Sequence, residues 1–377
     1  MIARIAAAFI ALALCFVAQA KVAYPPVTPG YEITFPGDEG SHPDYRLEWW
    51  YVTGWLEDAG SKVKAPRGFQ VTFFRVRTGL AENNPSSFAP KQVLFAHAAL
   101  ADPEHGKLRH AQRAARAGFD LAYAQEGSLQ VQLDDWSLKQ SGPGRYRAIV
   151  RGEDFEFDLT LAATQPPMLQ GDRGFSRKGP DLRSASLYYS LPQLAVTGSA
   201  IVDGRKVTVS GQAWFDHEWS SDYVDERASG WDWIGVNLDD GGALMAFRMR
   251  DPQGGARWAA ATRSPSQSTS GSASDSVPNA TSQNEKVGYA PDEVEWTPLE
   301  TWRSPRTGVQ YPVRWRVRVG AAMYRVEPLM LDAELDSRAT TGILYWEGPI
   351  RLFDDATGKE VGRGYLELTG YGGKLDL

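Results

Sequence analysis

Tyr311-Pro312-Val313-Arg314-Trp315-Arg316-Val317-Arg318-Val319 alternates apolar and polar side chains without a break. A period of two puts the apolar residues on one face of an extended chain and the arginines on the other, so this stretch reads as a half-buried β-strand with a solvated outer face. The same reading repeats outward from it. Leu47–Leu56, Phe69–Val76, Gln92–Ala101, Arg145–Arg151, Phe155–Leu161, Ala195–Val202, Lys206–Phe215, Trp231–Leu238, Ala243–Arg250, Leu329–Leu335, Gly342–Gly348 and Gly364–Tyr371 are further strand candidates. Asp203-Gly204 and Asp240-Gly241-Gly242 are turn signals between neighbours. Within Phe69–Val76 the alternation slips at Phe74, which predicts a β-bulge there. No run of a dozen residues carries a 3.6 period, so the fold is predicted to be all-β and mostly antiparallel.

Composition agrees. The chain has 377 residues, 42% hydrophobic and 23% charged, which excludes collagen-like, coiled-coil and fully disordered classes. Its 13 tryptophans, 15 tyrosines and 15 phenylalanines suit sheet faces and apolar cavities. With 40 basic and 46 acidic residues the net charge is −6, so nucleic-acid binding has no electrostatic footprint. Residues 1–20 have the pattern of a secretory signal: Arg4, the apolar run Ile5–Val17, then Ala18-Gln19-Ala20. The run is short for a membrane span, and the mature protein is expected in the periplasm or secreted. Cys15 is the single cysteine and lies in this leader, so thiol catalysis, zinc-thiolate sites and disulfides are excluded from the mature chain.

The serine-rich stretch 264–284 cannot bury a core and reads as a mobile loop. A polar stretch at Ser220–Arg227 marks the seam between two strand-rich units, 31–222 and 223–377. Each is expected to hold about 8–10 strands, enough to close or nearly close a barrel.

Chemistry concentrates where ionisable groups sit between aromatics. Trp214-Phe215-Asp216-His217-Glu218-Trp219 is the densest such stretch. Extended, it places Asp216 and Glu218 on one face and His217 on the other, and His217 with either carboxylate could form an acid–base pair. Glu48-Trp49-Trp50-Tyr51 puts Glu48 and Trp50 on a common face; desolvation there would raise the Glu48 pKa and make a proton donor. His97 interrupts the apolar run Phe95–Ala99, and Glu347 and Glu367 again lie between aromatics on strands. Each also has a plainer reading as a buried, paired structural group. No Gly-x-Ser-x-Gly elbow, phosphate loop, dinucleotide fingerprint or His-Glu-x-x-His occurs, and no cofactor or metal is called for.

Glu48-Trp-Trp-Tyr-x-x-Gly54, Asp216-His-Glu-Trp-Ser220, Tyr345-Trp-Glu-Gly348 and Gly364-Tyr-x-Glu-x-Thr-Gly-Tyr371 resemble the hallmarks of AttH-like exported proteins, relatives of hydroxyneurosporene synthase (carotenoid 1,2-hydratase). The resemblance spans nearly the whole mature chain. It implies two consecutive lipocalin-like antiparallel β-barrel domains, with an ABC-type transporter permease as a partner. It also implies hydratase chemistry, in which an acid protonates a double bond and water captures the cation. His217 and Trp219 match the hydratases' His-x-Trp element. This chain departs in having Glu218 where the hydratases have Asn, and in lacking their Tyr-x-Asp near Phe247-Arg248-Met249.

Two functions follow as expectations. In the first, an apolar cavity binds an isoprenoid or lipid-like molecule, and Asp216, His217, Glu218 and Glu48 supply acid–base chemistry for hydration, isomerisation or cyclisation. Trp50, His97, Trp219, Tyr223, Trp231, Glu347, Glu367 and Tyr371 are then the candidate ligand-binding residues. In the second, the same barrels carry a hydrophobic ligand without catalysis.

Overall fold

The computed structural model describes residues 22–59, 65–265 and 286–373. The expected leader, 1–20, and the serine-rich stretch from 266 onward lie outside them. The first sheet contains β1 (Leu47–Asp58), β2 (Arg67–Arg77), β3 (Gln92–Ala101), β4 (Arg109–Arg116), β5 (Ala122–Ala124), β6 (Gln130–Leu133) and β7 (Trp136–Gly142). It continues with β8 (Arg145–Arg151), β9 (Phe155–Ala162), β10 (Met168–Leu169), β11 (Phe175–Arg177), β12 (Ala185–Val202) and β13 (Arg205–Ser220). The second sheet contains β14 (Gly230–Leu238), β15 (Ala243–Arg250), β16 (Ala256–Ser264), β17 (Val287–Tyr289) and β18 (Val294–Arg303). After these come β19 (Gln310–Val319), β20 (Ala322–Pro328), β21 (Glu334–Asp336), β22 (Leu344–Asp354) and β23 (Glu360–Thr369). Among the described residues there is no α-helix, and the two short 3-10 turns are Gly37–Glu39 and Pro291–Glu293.

Both sheets are barrel-like and follow one plan. In each, the first strand pairs with the last: β1 with β13, and β14 with β23. From that seam the first sheet runs β1-β2-β3-β4 one way and β13-β12-β9-β8-β7-β6-β5 the other. The second runs β14-β15-β16-β17 and β23-β22-β20-β19-β18. Asp203 and Gly204 both take positive φ in the tight turn joining β12 to β13, as the Asp-Gly signal predicts.

One apolar cluster fills the inside of each barrel, around Trp50, Phe69, Phe157 and Phe215 in the first and Ile234, Trp315, Trp346 and Leu366 in the second. A third lies where the sheets pack face to face, with Tyr51, Tyr188, Trp214, Trp233, Phe247 and Tyr365. Strands that contribute to two clusters are covered on both faces, and this accounts for several departures from the sequence reading. The β1–β2 and β2–β3 registers run unbroken through Trp49↔Phe74 and Phe74↔Phe95, so no bulge exists at Phe74. Phe73 fills the first barrel while Phe74 faces the second sheet, which is why both are apolar.

β12 begins ten residues before its expected start for the same reason, with Tyr188 and Tyr189 buried on opposite faces. Leu329–Leu335 is mostly not a strand; only its end joins β21. Polar β4 lacks an apolar period and is held by its ladder hydrogen bonds, whereas β18 buries only Val294 and Trp296 in the second barrel before turning polar, too short an alternation to mark a ten-residue strand. The arginine stripe on β19 does face outward, with Arg314, Arg316 and Arg318 paired to Glu300, Asp355 and Glu295.

Candidate functional site

Strand parity at the β1/β13 seam sorts the densest stretch of sequence into two sites. β1 and β13 pair as Trp50↔His217, Tyr51↔Asp216 and Trp49↔Glu218. Side chains alternate along a strand, so His217 and Trp219 point into the first barrel while Asp216 and Glu218 face the second sheet. Trp231 and Trp233 on β14, Tyr345 and Glu347 on β22, and Glu367 and Thr369 on β23 face back toward them. A cavity of about 350 Å³ lies between the two sheets.

Besides Glu48, whose carboxylate turns into the first barrel, four buried carboxyl groups line this cavity. Asp216 accepts hydrogen bonds from Ser190 Oγ (2.5 Å), Trp214 Nε1 (2.7 Å) and Tyr188 Oη (2.9 Å). Burial outweighs these neutral donors, and with the nearby Glu218 it pushes the Asp216 pKa up to about 7. Glu218 pairs with Lys178 Nζ at 2.6 Å and accepts from Ser186. Burial raises the Glu218 pKa against the pull of that ammonium.

Lys178 is itself fully enclosed, over the rings of Phe247 (4.4 Å), Tyr188 (4.7 Å) and Tyr223 (5.2 Å). Burial lowers its pKa, and Glu218 opposes that. Glu367 accepts from Trp231 Nε1 (2.9 Å) and Thr369 Oγ1 (2.8 Å), and burial lifts its pKa to about 7. Glu347 is Glu367's direct cross-strand partner; burial, then the Glu367 charge, hold it well above the ordinary carboxyl range. A chain of donors, Trp233 to Tyr188 to Asp216, ties the two sheets together through this site.

The second site is inside the first barrel. Glu48 receives Arg75 Nε at 2.7 Å, Ser41 Oγ at 2.9 Å and the His42 backbone N–H at 3.0 Å. It also contacts His42 Nδ1 at 2.8 Å and His217 Nε2 at 3.0 Å. Burial alone would raise the Glu48 pKa, but Arg75 and the two histidines hold it well below the usual range. The expectation that Glu48 is a raised-pKa proton donor is therefore corrected: a buried cation, invisible in the Glu-Trp-Trp-Tyr stretch, decides its charge. His217 pairs with Glu48 and Tyr189, stacks on Trp50 and joins neither Asp216 nor Glu218, so the expected acid–base pair within β13 does not form. His42, Glu48 and His217 present ligand atoms close enough for a metal ion. Arg75 already supplies the cation there, and the carboxylate is fully satisfied by protein groups.

Of the expected ligand-binding residues, His97, Tyr223, Trp231, Glu347 and Glu367 line the junction cavity. His97 bonds Tyr345 Oη (2.7 Å) and Thr340 Oγ1 (2.9 Å), with its pKa pushed down to about 3 by burial and His110, so it is neutral. Trp50 and Trp219 fill the first barrel instead, Trp219 stacked on His42 at 3.8 Å. Tyr371 packs beside Asp232, donating to it at 2.9 Å, under the Arg250 guanidinium. Sequence reasoning missed Lys178, Tyr188 and His42. Lys178 and His42 lie outside the strands and have no local signal, whereas strand parity was enough to place Tyr51 on the face opposite Glu48.

A sequence profile of the AttH-like family matches residues 26–371. The fold is similar to the crystal structure of a candidate AttH from Nitrosomonas europaea (TM-score 0.80, 48% identity), covering 92% of this chain and 99% of that one. It is also similar to kievitone hydratase from Nectria haematococca (TM-score 0.66, 16% identity), over 94% of this chain and 97% of that one. No curated protein matches the sequence significantly.

Proposed function

Since the chain belongs to the AttH-like family, we propose that its junction cavity takes an isoprenoid or lipid-like alkene and adds water across the double bond. The observation that carries this reading is the set of buried, proton-retaining carboxyl groups in an aromatic-lined cavity. Protonating an alkene needs a carboxylic acid still neutral near pH 7, which burial provides here. The cation that results needs π faces close by and few competing nucleophiles; Trp231, Trp233, Tyr345 and Phe247 supply the faces. The shared fold with a hydratase supports the reading. Isomerisation or cyclisation would use the same cation with a different fate.

The test is turnover of squalene, farnesol and geranylgeraniol by the purified chain, followed by mass spectrometry for addition of water. Wild type should convert at least one, and Asp216→Asn should lose that conversion while staying folded. Equal inactivity of both across the panel would remove the hydratase reading.

A second reading, a periplasmic carrier that exchanges its ligand with an ABC-type transporter permease, is favoured by the donors that tie Asp216 into the protein. There, Asp216→Asn lowers the melting temperature and leaves capture of the same lipids by the folded fraction intact.

A further inference from the structure

Glu48 aside, the four carboxyl groups that line the cavity are not equivalent. Asp216 has three side-chain donors, Glu218 has Lys178 and Ser186, and Glu367 has Trp231 and Thr369. Glu347, only 2% exposed, has an Oε1 with no hydrogen-bond partner. Directly across the β22–β23 ladder stands Glu367, on the same cavity-facing side. Tyr51, reaching in from β1 of the other barrel, also has a hydroxyl without a partner. It lies close enough to Glu347 for the two to interact, though without good hydrogen-bond geometry.

We propose that Glu347 delivers the proton to the alkene, with Glu367 as its positioning partner, Tyr51 as the donor that receives the developing carboxylate, and Asp216 as the base for water. This assignment deepens the hydratase reading and rests on it. Two unpartnered polar groups buried side by side are costly in the resting protein. They become favourable once charge appears on Glu347, because Tyr51 can then donate to a carboxylate. Burial keeps the Tyr51 hydroxyl protonated, so it remains a donor. Glu367, held by Trp231 and Thr369, is a like charge when ionised and discourages loss of the Glu347 proton.

The step balances without any further reagent. The Glu347 O–H bond breaks as the alkene π pair forms a C–H bond at the less substituted carbon, leaving a tertiary cation and a Glu347 carboxylate. Water forms the C–O bond, and its proton passes to Asp216 in the molecules that hold it as a carboxylate, a substantial share at neutral pH because burial brings its pKa only up to about 7. The sum is alkene plus water to tertiary alcohol, and exchange with solvent as product leaves returns the proton to Glu347.

The experiment uses the full chain and four variants: Glu347→Gln, Glu347→Asp, Glu367→Gln and Tyr51→Phe. The first readout needs no substrate. At neutral pH the infrared spectrum should show a protonated-carboxyl C=O band that shifts in D2O. Glu347→Gln should remove a distinct part of it, and Asp216→Asn and Glu367→Gln should each remove another part. A band unchanged in Glu347→Gln would overturn the proposal.

The second readout is squalene, farnesol and geranylgeraniol turnover in D2O, with deuterium expected at the less substituted carbon. Glu347→Gln should lose on the order of 100-fold or more in turnover. Glu347→Asp should retain a measurable part, and Tyr51→Phe should lower turnover with the infrared band intact. The titratable groups facing Glu347 are Glu367, Tyr51, Tyr345 and Tyr365, with Glu218 beyond Glu367. Removing the Glu367 charge should lower the Glu347 pKa, so Glu367→Gln should move the high-pH loss of turnover to lower pH. A merely structural Glu367 would leave that limb in place. Near-normal turnover in Glu347→Gln with none in Asp216→Asn would overturn this assignment and keep the hydratase reading. An inert wild type across the panel would end both, and the band would still report whether Glu347 holds a proton.

Discussion

Asp216 and Glu48 are buried carboxyl groups on neighbouring strands, yet burial leads them to opposite charge states. Glu48 has a guanidinium at 2.7 Å and is ionised; Asp216 has only neutral donors and the Glu218 carboxyl nearby. Glu48→Gln leaves Arg75 buried without its counter-charge, and denaturant melts at pH 7 should show a loss of about 3–5 kcal/mol. The pH dependence has opposite signs at the two sites. Asp216 and Glu367 keep protons in the folded chain up to about pH 7, whereas unfolded carboxyls lose them near pH 4. The folded state then binds more protons, so these groups make stability fall as pH rises from about 4 to 7, by on the order of 1 kcal/mol per pH unit each. Asp216→Asn or Glu367→Gln should flatten that slope in urea titrations. Glu48, with its lowered pKa, contributes stability above the unfolded carboxyl pKa and loses it as pH falls through the folded one.

At the scale of elements, each barrel opens with the same device. Glu48 on β1 is in register with Arg75 on β2, and Asp232 on β14 is in register with Arg248 on β15, paired at 2.6 Å. Both acids point into their barrels, leaving the alternate residues, Tyr51 and Trp233, for the junction. The seams also need close strand approach. A Cβ on Gly54 would sit 2.5 Å from the Gln212 carbonyl and 2.6 Å from Phe69 Cε1. Gly54→Ala should therefore cost about 1–3 kcal/mol, seen as a lower melting temperature, although alanine suits a strand no worse than glycine. These devices were half legible. The carboxylates and the glycine stand in quotable motifs, but Arg75 reads as an ordinary polar alternation in β2 until the register sets it opposite Glu48.

For the whole molecule, the sheet-to-sheet face is apolar and carries the site, so each barrel alone would expose Trp214, Tyr188, Trp233 and Phe247 to water. The segments 22–229 and 230–373, expressed separately, should be insoluble or molten, while the intact chain should unfold in one transition. Calorimetry on the intact chain and near-ultraviolet circular dichroism on the segments check this. The sequence by itself determined the all-β fold, from periods of two and turn residues, which are local properties of the chain. It also placed Asp216 and Glu218 together and His217 apart, because side-chain alternation along a strand needs no tertiary information. Tertiary structure alone decided the rest. Which acids keep their protons depends on Arg75, Lys178 and burial brought from distant segments. That Asp216 and Glu218 share a cavity with Glu347 and Glu367 depends on two sheets packing face to face.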